Sequence, residues 1–98
     1  MFVRIIKSYR DVVAICDSDI LGKKFEEGLF QIDVKESFYK GEEADENETK
    51  EIILKMAMED ATFNIVGKKS VNLAIQTGII TKEGIKTIQG IPFAMVLA

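Results

Sequence analysis

The chain contains no histidine and a single cysteine, and these two shortages exclude several kinds of site. Histidine is the commonest general base and the commonest metal ligand in proteins, so catalytic triads that depend on it are excluded. One cysteine cannot form an intramolecular disulfide, and without histidine it cannot complete a zinc site of the usual kind. Any catalysis would therefore rest on carboxylates, lysines, hydroxyls or a hard metal ion. We expect no bound cofactor.

Long apolar runs are also missing. No stretch approaches the roughly 20 apolar residues that span a bilayer, and the N-terminus lacks the pattern of a secretory signal peptide. The apolar fraction of 47% and the charged fraction of 30% are typical of soluble domains. At 98 residues the chain is long enough for one core and short for two. We therefore expect a cytoplasmic single domain over residues 1–98, away from membranes, with Cys16 buried in its apolar run.

Charge is distributed unevenly along the sequence. Residues 1–40 carry seven basic and seven acidic side chains, residues 41–60 carry two and eight, and residues 61–98 carry four and one. The net charge of −3 disfavours non-specific binding of nucleic acid by the whole surface. A local basic face could still bind RNA or a nucleotide.

The patterning predicts strands before, between and after two helices. A fully apolar stretch at Val12–Cys16 is typical of an interior strand, and alternation over residues 29–34 is typical of a strand with one wet face. We predict an α/β or α+β domain whose mixed sheet has about five or six strands, with two main helices at about 45–59 and 68–77 packed on it. The predicted strands cover residues 2–6, 12–16, 29–34, 62–66, 85–88 and 93–97, the last two around a turn at Gly90–Pro92.

Local signals mark the ends of both helices. Asp45 and Glu48 have the spacing of a capping box, which favours a helix start at that point. Gly67 precedes the second helix, and Gly78 offers the left-handed conformation that ends one. A single helical turn is predicted just after Asp17.

An aliphatic pair followed by glycine and two lysines occurs twice, at residues 20–24 and 65–69, and the second copy leads into a predicted helix. Glycine lets backbone amides approach an anion, and lysine adds charge, so the pattern predicts an anion- or phosphate-binding surface. Ala61–Phe63 stand where a nucleotide-binding loop would begin with glycine, which disfavours a nucleotide triphosphatase. The alternative is a glycine cap beside two solvated lysines. The candidate residues are Gly22, Lys23, Lys24, Gly67, Lys68, Lys69 and Ser70.

Asp17 and Asp19 form a second candidate site. Two carboxylates two residues apart could ligate a hard metal ion near the first lysine pair. Acidic residues directly after a strand more often cap or turn the chain.

Four groups of segments can be compared with known families: Val12–Asp17 with Leu21–Lys23, Phe38–Gly41, Asn64–Gly67 with Ser70–Val71, and Gly90–Pro92. Together they make the whole chain resemble an archaeal family of small single-domain proteins, domain-of-unknown-function family 424. The resemblance implies an archaeal cytoplasmic protein with a loose connection to translation or RNA, and it supplies no catalytic residue. A histidine often follows the last proline in that family, whereas this chain has Phe93 there.

Three functions remain open from the sequence. The first is a non-catalytic binding module for RNA or a ribonucleoprotein, acting through the two glycine-lysine turns. The second is a small enzyme on a phosphorylated metabolite, with Asp17 or Asp19 as metal ligand or base and Lys68 stabilising charge. The third is a protein-interaction module that uses its acidic helix and an apolar face of the sheet. The oligomeric state is open, and a homo-oligomer is possible.

Overall fold

The computed structural model describes residues 1–97, which form one α+β domain around a six-stranded mixed sheet. A separate two-stranded hairpin packs beside it. The strands are β1 (Phe2–Ile6), β2 (Val12–Cys16), β3 (Lys24–Glu27), β4 (Phe30–Asp33), β5 (Glu42–Glu43), β6 (Thr62–Val66), β7 (Lys86–Ile88) and β8 (Ile91–Leu97). The helices are α1 (Glu36–Tyr39), α2 (Glu46–Met58) and α3 (Lys68–Gln76), with 3₁₀ turns at Ser18–Ile20 and Lys82–Gly84.

The strand order in the large sheet is β5-β1-β2-β6-β8-β7. β2 and β6 run parallel, with Cys16 opposite Val66, and every other pair in the sheet is antiparallel. The parallel pair lies in the middle of the sheet, where both faces are covered. This explains why β2 is apolar throughout: its last four residues are fully buried.

Two apolar clusters cover the two faces of the sheet. Val13, Ile15, Phe63 and Ile65 form the larger one with residues of α2 and α3. On the opposite face, Cys16 and Val66 of the same strands belong to a smaller cluster. The other members of this cluster come from the hairpin β3-β4, from α1 and from the turn after β2. Side chains alternate between the faces of a strand, so one run of sequence contributes to both clusters.

The predicted fold class and the two main helices are confirmed. The Asp45 side chain accepts a hydrogen bond from the Glu48 amide at 2.8 Å, and the Glu48 side chain accepts one from the Asp45 amide at 3.1 Å, which completes the capping box. Gly78 adopts φ +82° just beyond α3, as the left-handed stop requires.

The predicted strand over residues 29–34 is β4, but its hairpin partner β3, the short strand β5 and helix α1 were not predicted. Lys24–Glu27 has three charged residues out of four and no apolar alternation beyond Phe25, so its sequence gives little strand signal. The last turn is also displaced from the prediction: Gln89 and Gly90 make it, with φ +52° and +76°, while Pro92 lies inside β8 opposite Thr87.

Candidate functional site

Asp17, the residue that follows β2, is bound to the start of α3. Its carboxylate accepts hydrogen bonds from the Lys69 amide at 3.0 Å, the Ser70 amide at 2.8 Å and the Ser70 hydroxyl at 2.7 Å. The Asp17 residue is 8% exposed and Ser70 is fully buried. A carboxylate in this position satisfies helix amides that have no partner within the helix, and it lies at the positive end of the helix dipole.

The parallel pairing of β2 and β6 creates this contact. Because Cys16 is opposite Val66, the residues after both strands leave the sheet side by side. The Asp17 amide donates to the Val66 carbonyl at 3.2 Å, which extends the pairing by one bond. Gly67 then turns the chain into α3 with φ +109° and ψ 153°, a conformation that is essentially reserved for glycine.

The amides of the second glycine-lysine turn are therefore largely occupied. The Gly67 amide donates to the Pro92 carbonyl at 2.9 Å, and the Lys69 and Ser70 amides donate to Asp17. A phosphate at this helix start would have to displace the protein's own carboxylate. Backbone capture of an anion, on which the sequence prediction relied, thus has little support from the geometry around Gly67 and Ser70.

The backbone amides of the first glycine-lysine turn also donate to protein acceptors. The Gly22 amide donates to the Val34 carbonyl at 2.7 Å, and the Lys23 amide donates to the Ile20 carbonyl at 3.0 Å. Gly22 has φ +84°, so it gives the chain a left-handed bend before β3. The bond from Gly22 to Val34 joins the turn to the end of β4.

The two turns lie at one end of the sheet. Ile20 and Leu21 of the first turn belong to the same apolar cluster as Cys16 and Val66, the last residues of the parallel strands. The lysine side chains of both turns are exposed, and within residues 1–97 none of them forms an ion pair. These side chains are Lys23, Lys24, Lys68 and Lys69.

An acidic cleft of about 390 Å³ opens beside Lys69. It lies at the carboxyl end of β2, and the carboxylates that line it are those of Asp17, Asp19, Asp45 and Glu46. Asp19 is exposed, whereas the Asp17 carboxylate is occupied by α3. No three acidic or cysteine side chains among residues 1–97 are grouped so that they could hold one metal ion. The two-aspartate metal hypothesis therefore gains no support from the geometry.

The sequence predicts that Asp17 caps the turn that directly follows it, but gives no indication of its distant partner, the start of α3. The 3₁₀ turn at Ser18–Ile20 does follow Asp17, as predicted, but the Asp17 side chain makes no capping bond to it. The carboxylate instead caps a helix 52 residues further along the chain. The only signal was an acidic residue at the end of a buried strand, and it does not identify the helix.

Comparison with known proteins agrees with this architecture. Residues 6–98 match the family described as protein of unknown function, DUF424. The chain belongs to the DUF424 family. A crystal structure of an uncharacterised conserved protein from the archaeon Methanopyrus kandleri is similar to the DUF424 chain, with a TM-score of 0.83 and 20% sequence identity over 98% of this chain and 90% of the other. At that identity the likeness concerns the fold. No functionally curated protein matches the sequence.

A helix needs about 20 mostly apolar residues to cross a bilayer. Among the helices within residues 1–97, none is both long enough and apolar enough to cross a membrane.

Proposed function

We propose that this DUF424 protein is a cytoplasmic, non-catalytic binding module that holds RNA or a ribonucleoprotein through the lysine side chains of its two turns. The observation that carries the proposal is that the two exposed lysine pairs follow apolar residues of one cluster at the end of the parallel strands, Ile20 and Leu21 before the first pair and Val66 before the second. Ammonium groups at such a surface attract phosphate.

The hydrogen bonds of the two turns determine which of their groups are available to contact phosphate. The amides of Gly22, Gly67 and Ser70 already donate to protein acceptors. Contacts to phosphate would therefore come mainly from the flexible ammonium groups, which position a nucleic-acid backbone without reading its sequence. The proposed binding is accordingly weakly selective and strongly dependent on salt.

An enzymatic function has less support. It would use Asp17 or Asp19 as a base or metal ligand, but three hydrogen bonds occupy most of the acceptor positions of the Asp17 carboxylate. This geometry assigns Asp17 to the structure of the helix start. We therefore propose no catalytic residue.

The test is a titration of a labelled single-stranded oligouridylate of about 20 nucleotides, followed by fluorescence anisotropy at several salt concentrations. Each phosphate contact to a single strand contributes about −0.7 to the slope of log K against log salt, so four lysines predict a slope near −3. A variant that changes Lys23, Lys24, Lys68 and Lys69 to glutamine should lose about tenfold or more in affinity at low salt and most of the slope.

A matched control removes the same number of charges elsewhere, by changing Lys50, Lys55, Lys82 and Lys86 to glutamine. It should bind within about threefold of the unmodified protein, because these lysines lie outside the two turns. Equal losses in both variants would assign binding to net charge, and a complete lack of binding at low salt would reject the proposal.

A further inference from the structure

The tip of the hairpin β3-β4 carries an aromatic side chain that the core leaves uncovered. Phe25 is opposite Ile32, and two residues further along Glu27 is opposite Phe30, so all four side chains share one face of the hairpin. Phe25 and Ile32 pack in the smaller apolar cluster, whereas Phe30 is 72% exposed. The hairpin therefore extends past the cluster and presents a phenylalanine on its inner face.

A cleft of about 210 Å³ is lined by this tip and by the last two strands of the large sheet. Phe93, which is half-buried, belongs to the smaller cluster and also faces the cleft. Among residues 1–97 the aromatic rings in contact with one another are those of Phe38 and Tyr39, so Phe30 and Phe93 line the cleft without stacking together. The full lining is Glu27, Phe30, Lys86, Thr87, Ile88 and Phe93.

Two side chains of opposite charge line the same cleft. One oxygen of the Glu27 carboxylate accepts a hydrogen bond from the Gln89 amide at 2.8 Å, which fixes this side chain. Within residues 1–97 the second oxygen has no hydrogen-bond partner. Lys86 is exposed and forms no ion pair in that part of the chain. An acceptor and a donor thus accompany the aromatic walls, a combination typical of a small-ligand site.

These groups fit one class of ligand, a pyrimidine base with an amino group. Bases of single-stranded RNA stack on phenylalanine and form hydrogen bonds along their Watson–Crick edges. The cleft is smaller than the roughly 300 Å³ at which pockets for drug-sized ligands begin, which favours a single ring. A carboxylate accepts from the N4 amino group of cytosine, whereas uracil has a second acceptor, O4, at that position. The lining therefore favours cytosine.

One wall of the cleft adjoins the second lysine turn. Phe93 is opposite Val66, the residue before Gly67. The Gly67 amide donates to the Pro92 carbonyl at 2.9 Å, which joins the turn to β8 beside Phe93. On the other side, the first lysine pair ends at Lys24, the first residue of the hairpin strand β3. The cleft thus lies next to the groups that we propose to contact phosphate.

We infer that this cleft binds a cytosine base of the RNA strand that the lysine pairs hold, an inference that rests on the proposed function. The base stacks on Phe30, and its N4 amino group donates to the second oxygen of Glu27. Lys86 donates to the ring oxygen O2, which cytosine and uracil share. The lysine turns therefore supply salt-dependent affinity, and the cleft adds a modest preference for one base.

Three fluorescently labelled strands of equal length test the inference by anisotropy at low salt. They are an oligouridylate, the same strand with cytidine at every second position, and a strand of abasic ribose phosphates. The cytidine strand should bind about fivefold more tightly than the uridine strand. The uridine strand should bind about threefold more tightly than the abasic strand, because its bases stack. Cytidine monophosphate should compete only at about a hundredfold higher concentration or more, since it cannot also reach the lysine turns.

Two protein variants assign these differences to the cleft. Phe30→Ala should weaken both base-containing strands by about fivefold and leave the abasic strand unchanged. Leu29→Ala is its matched control, because Leu29 is fully exposed at the same turn but does not line the cleft. Glu27→Gln keeps an oxygen for the Gln89 amide and places an NH2 group beside the base, so the ratio of cytidine to uridine affinity should fall to about one or below.

The abasic strand separates this inference from the proposed function. If it binds but the cytidine and uridine strands have equal affinities, or if Phe30→Ala changes none of the three strands, the inference is overturned and phosphate binding by the lysines survives. Competition by cytidine monophosphate at the concentration of the strand would overturn the assignment to RNA. If no strand binds at low salt, the proposed function fails first, and the inference fails with it.

Discussion

Asp17 occupies the space that a side chain at position 67 would need. A Cβ atom built on Gly67 would lie 2.4 Å from the carboxyl carbon of Asp17 and 2.6 Å from one of its oxygens. The same glycine has φ +109°, which L-residues rarely adopt. The capping carboxylate and the glycine therefore depend on one another: the close approach that lets Asp17 reach α3 requires the missing Cβ.

Gly67→Ala should consequently be one of the most damaging small substitutions in the chain. It combines a forbidden backbone conformation with a collision that displaces the cap of α3, and we expect a loss of about 3 to 5 kcal/mol in the free energy of unfolding. Urea denaturation followed by circular dichroism measures this loss.

Gly78→Ala is the control for a positive-φ glycine without a collision. Gly78 also has positive φ, at +82°, but a Cβ there would meet nothing within 4 Å. Its alanine variant should lose only about 1 to 2 kcal/mol, from strain alone. Equal losses for both variants would show that the contact with Asp17 contributes nothing.

The hydrogen bonds of Asp17 predict a graded series of stabilities. Asp17→Asn replaces one of the two carboxylate oxygens with an NH2 group that faces an amide donor, and it removes the negative charge, so it should lose about 2 kcal/mol or more. Ser70→Ala removes only the 2.7 Å hydroxyl bond and should lose about 1 kcal/mol. Ser18→Ala breaks an exposed bond to Glu43 and should change stability by less than about 0.5 kcal/mol. The order of the three denaturation midpoints tests the assignment, and a neutral Asp17→Asn would reject it.

Two hydrogen bonds that cap helices show how far the sequence could predict the structure. The bond between Asp45 and Glu48 spans three residues, so its spacing is visible along the chain. The bond between Asp17 and Ser70 spans 53 residues and exists only because β2 and β6 pair in parallel in one register. A single sequence indicates that both strands are buried, but not that they are neighbours. The lysines of both turns were therefore predictable as candidates, whereas the occupation of their amides was not.

Gln89 should control the mobility of the hairpin β3-β4. Its amide donates to the Glu27 carboxylate at 2.8 Å and its side chain donates to the Glu26 carbonyl at 2.6 Å. Gln89→Gly relieves the strain of φ +52° but removes the side-chain bond. We expect faster hydrogen exchange over residues 24–33, with global stability within about 1 kcal/mol of the unmodified protein. Unchanged exchange in that segment would show that the apolar contacts of the hairpin are sufficient.

Two buried groups predict a loss of stability at alkaline pH. Burial raises the pKa of the Cys16 thiol from its ordinary value of 9.0 to about 11, and it raises the pKa of Tyr39 from 10.0 to about 12. Between the unfolded and folded values the native state holds more protons than the unfolded state, so stability is complete below about pH 9 and falls as the pH rises toward 11. Tyr39 extends the fall toward pH 12.

Urea denaturation at pH 8, 9 and 10 tests this dependence. Cys16→Ala lowers stability at every pH because it shortens a buried side chain, but its stability should fall less steeply between pH 9 and 10 than that of the unmodified protein. Tyr39→Phe should leave the slope from pH 8 to 9 unchanged, since the tyrosine titrates at higher pH. Parallel curves for the cysteine variant and the unmodified protein would show that the thiol does not contribute.

The acidic cleft beside Lys69 makes the proposed RNA binding testable in the opposite direction, by a gain of affinity. Asp19 and Glu46 line the cleft, and both are exposed. Their carboxylates repel a phosphate chain that approaches Lys69, so the double variant Asp19→Asn, Glu46→Gln should bind oligouridylate about two- to tenfold more tightly at low salt. The gain should disappear near 1 M salt, where the Debye length falls to about 3 Å. A control that neutralises Glu59 and Asp60, which lie away from this cleft, should gain less. If both double variants gain equally, the RNA responds to net charge, and the two turns do not define its binding site.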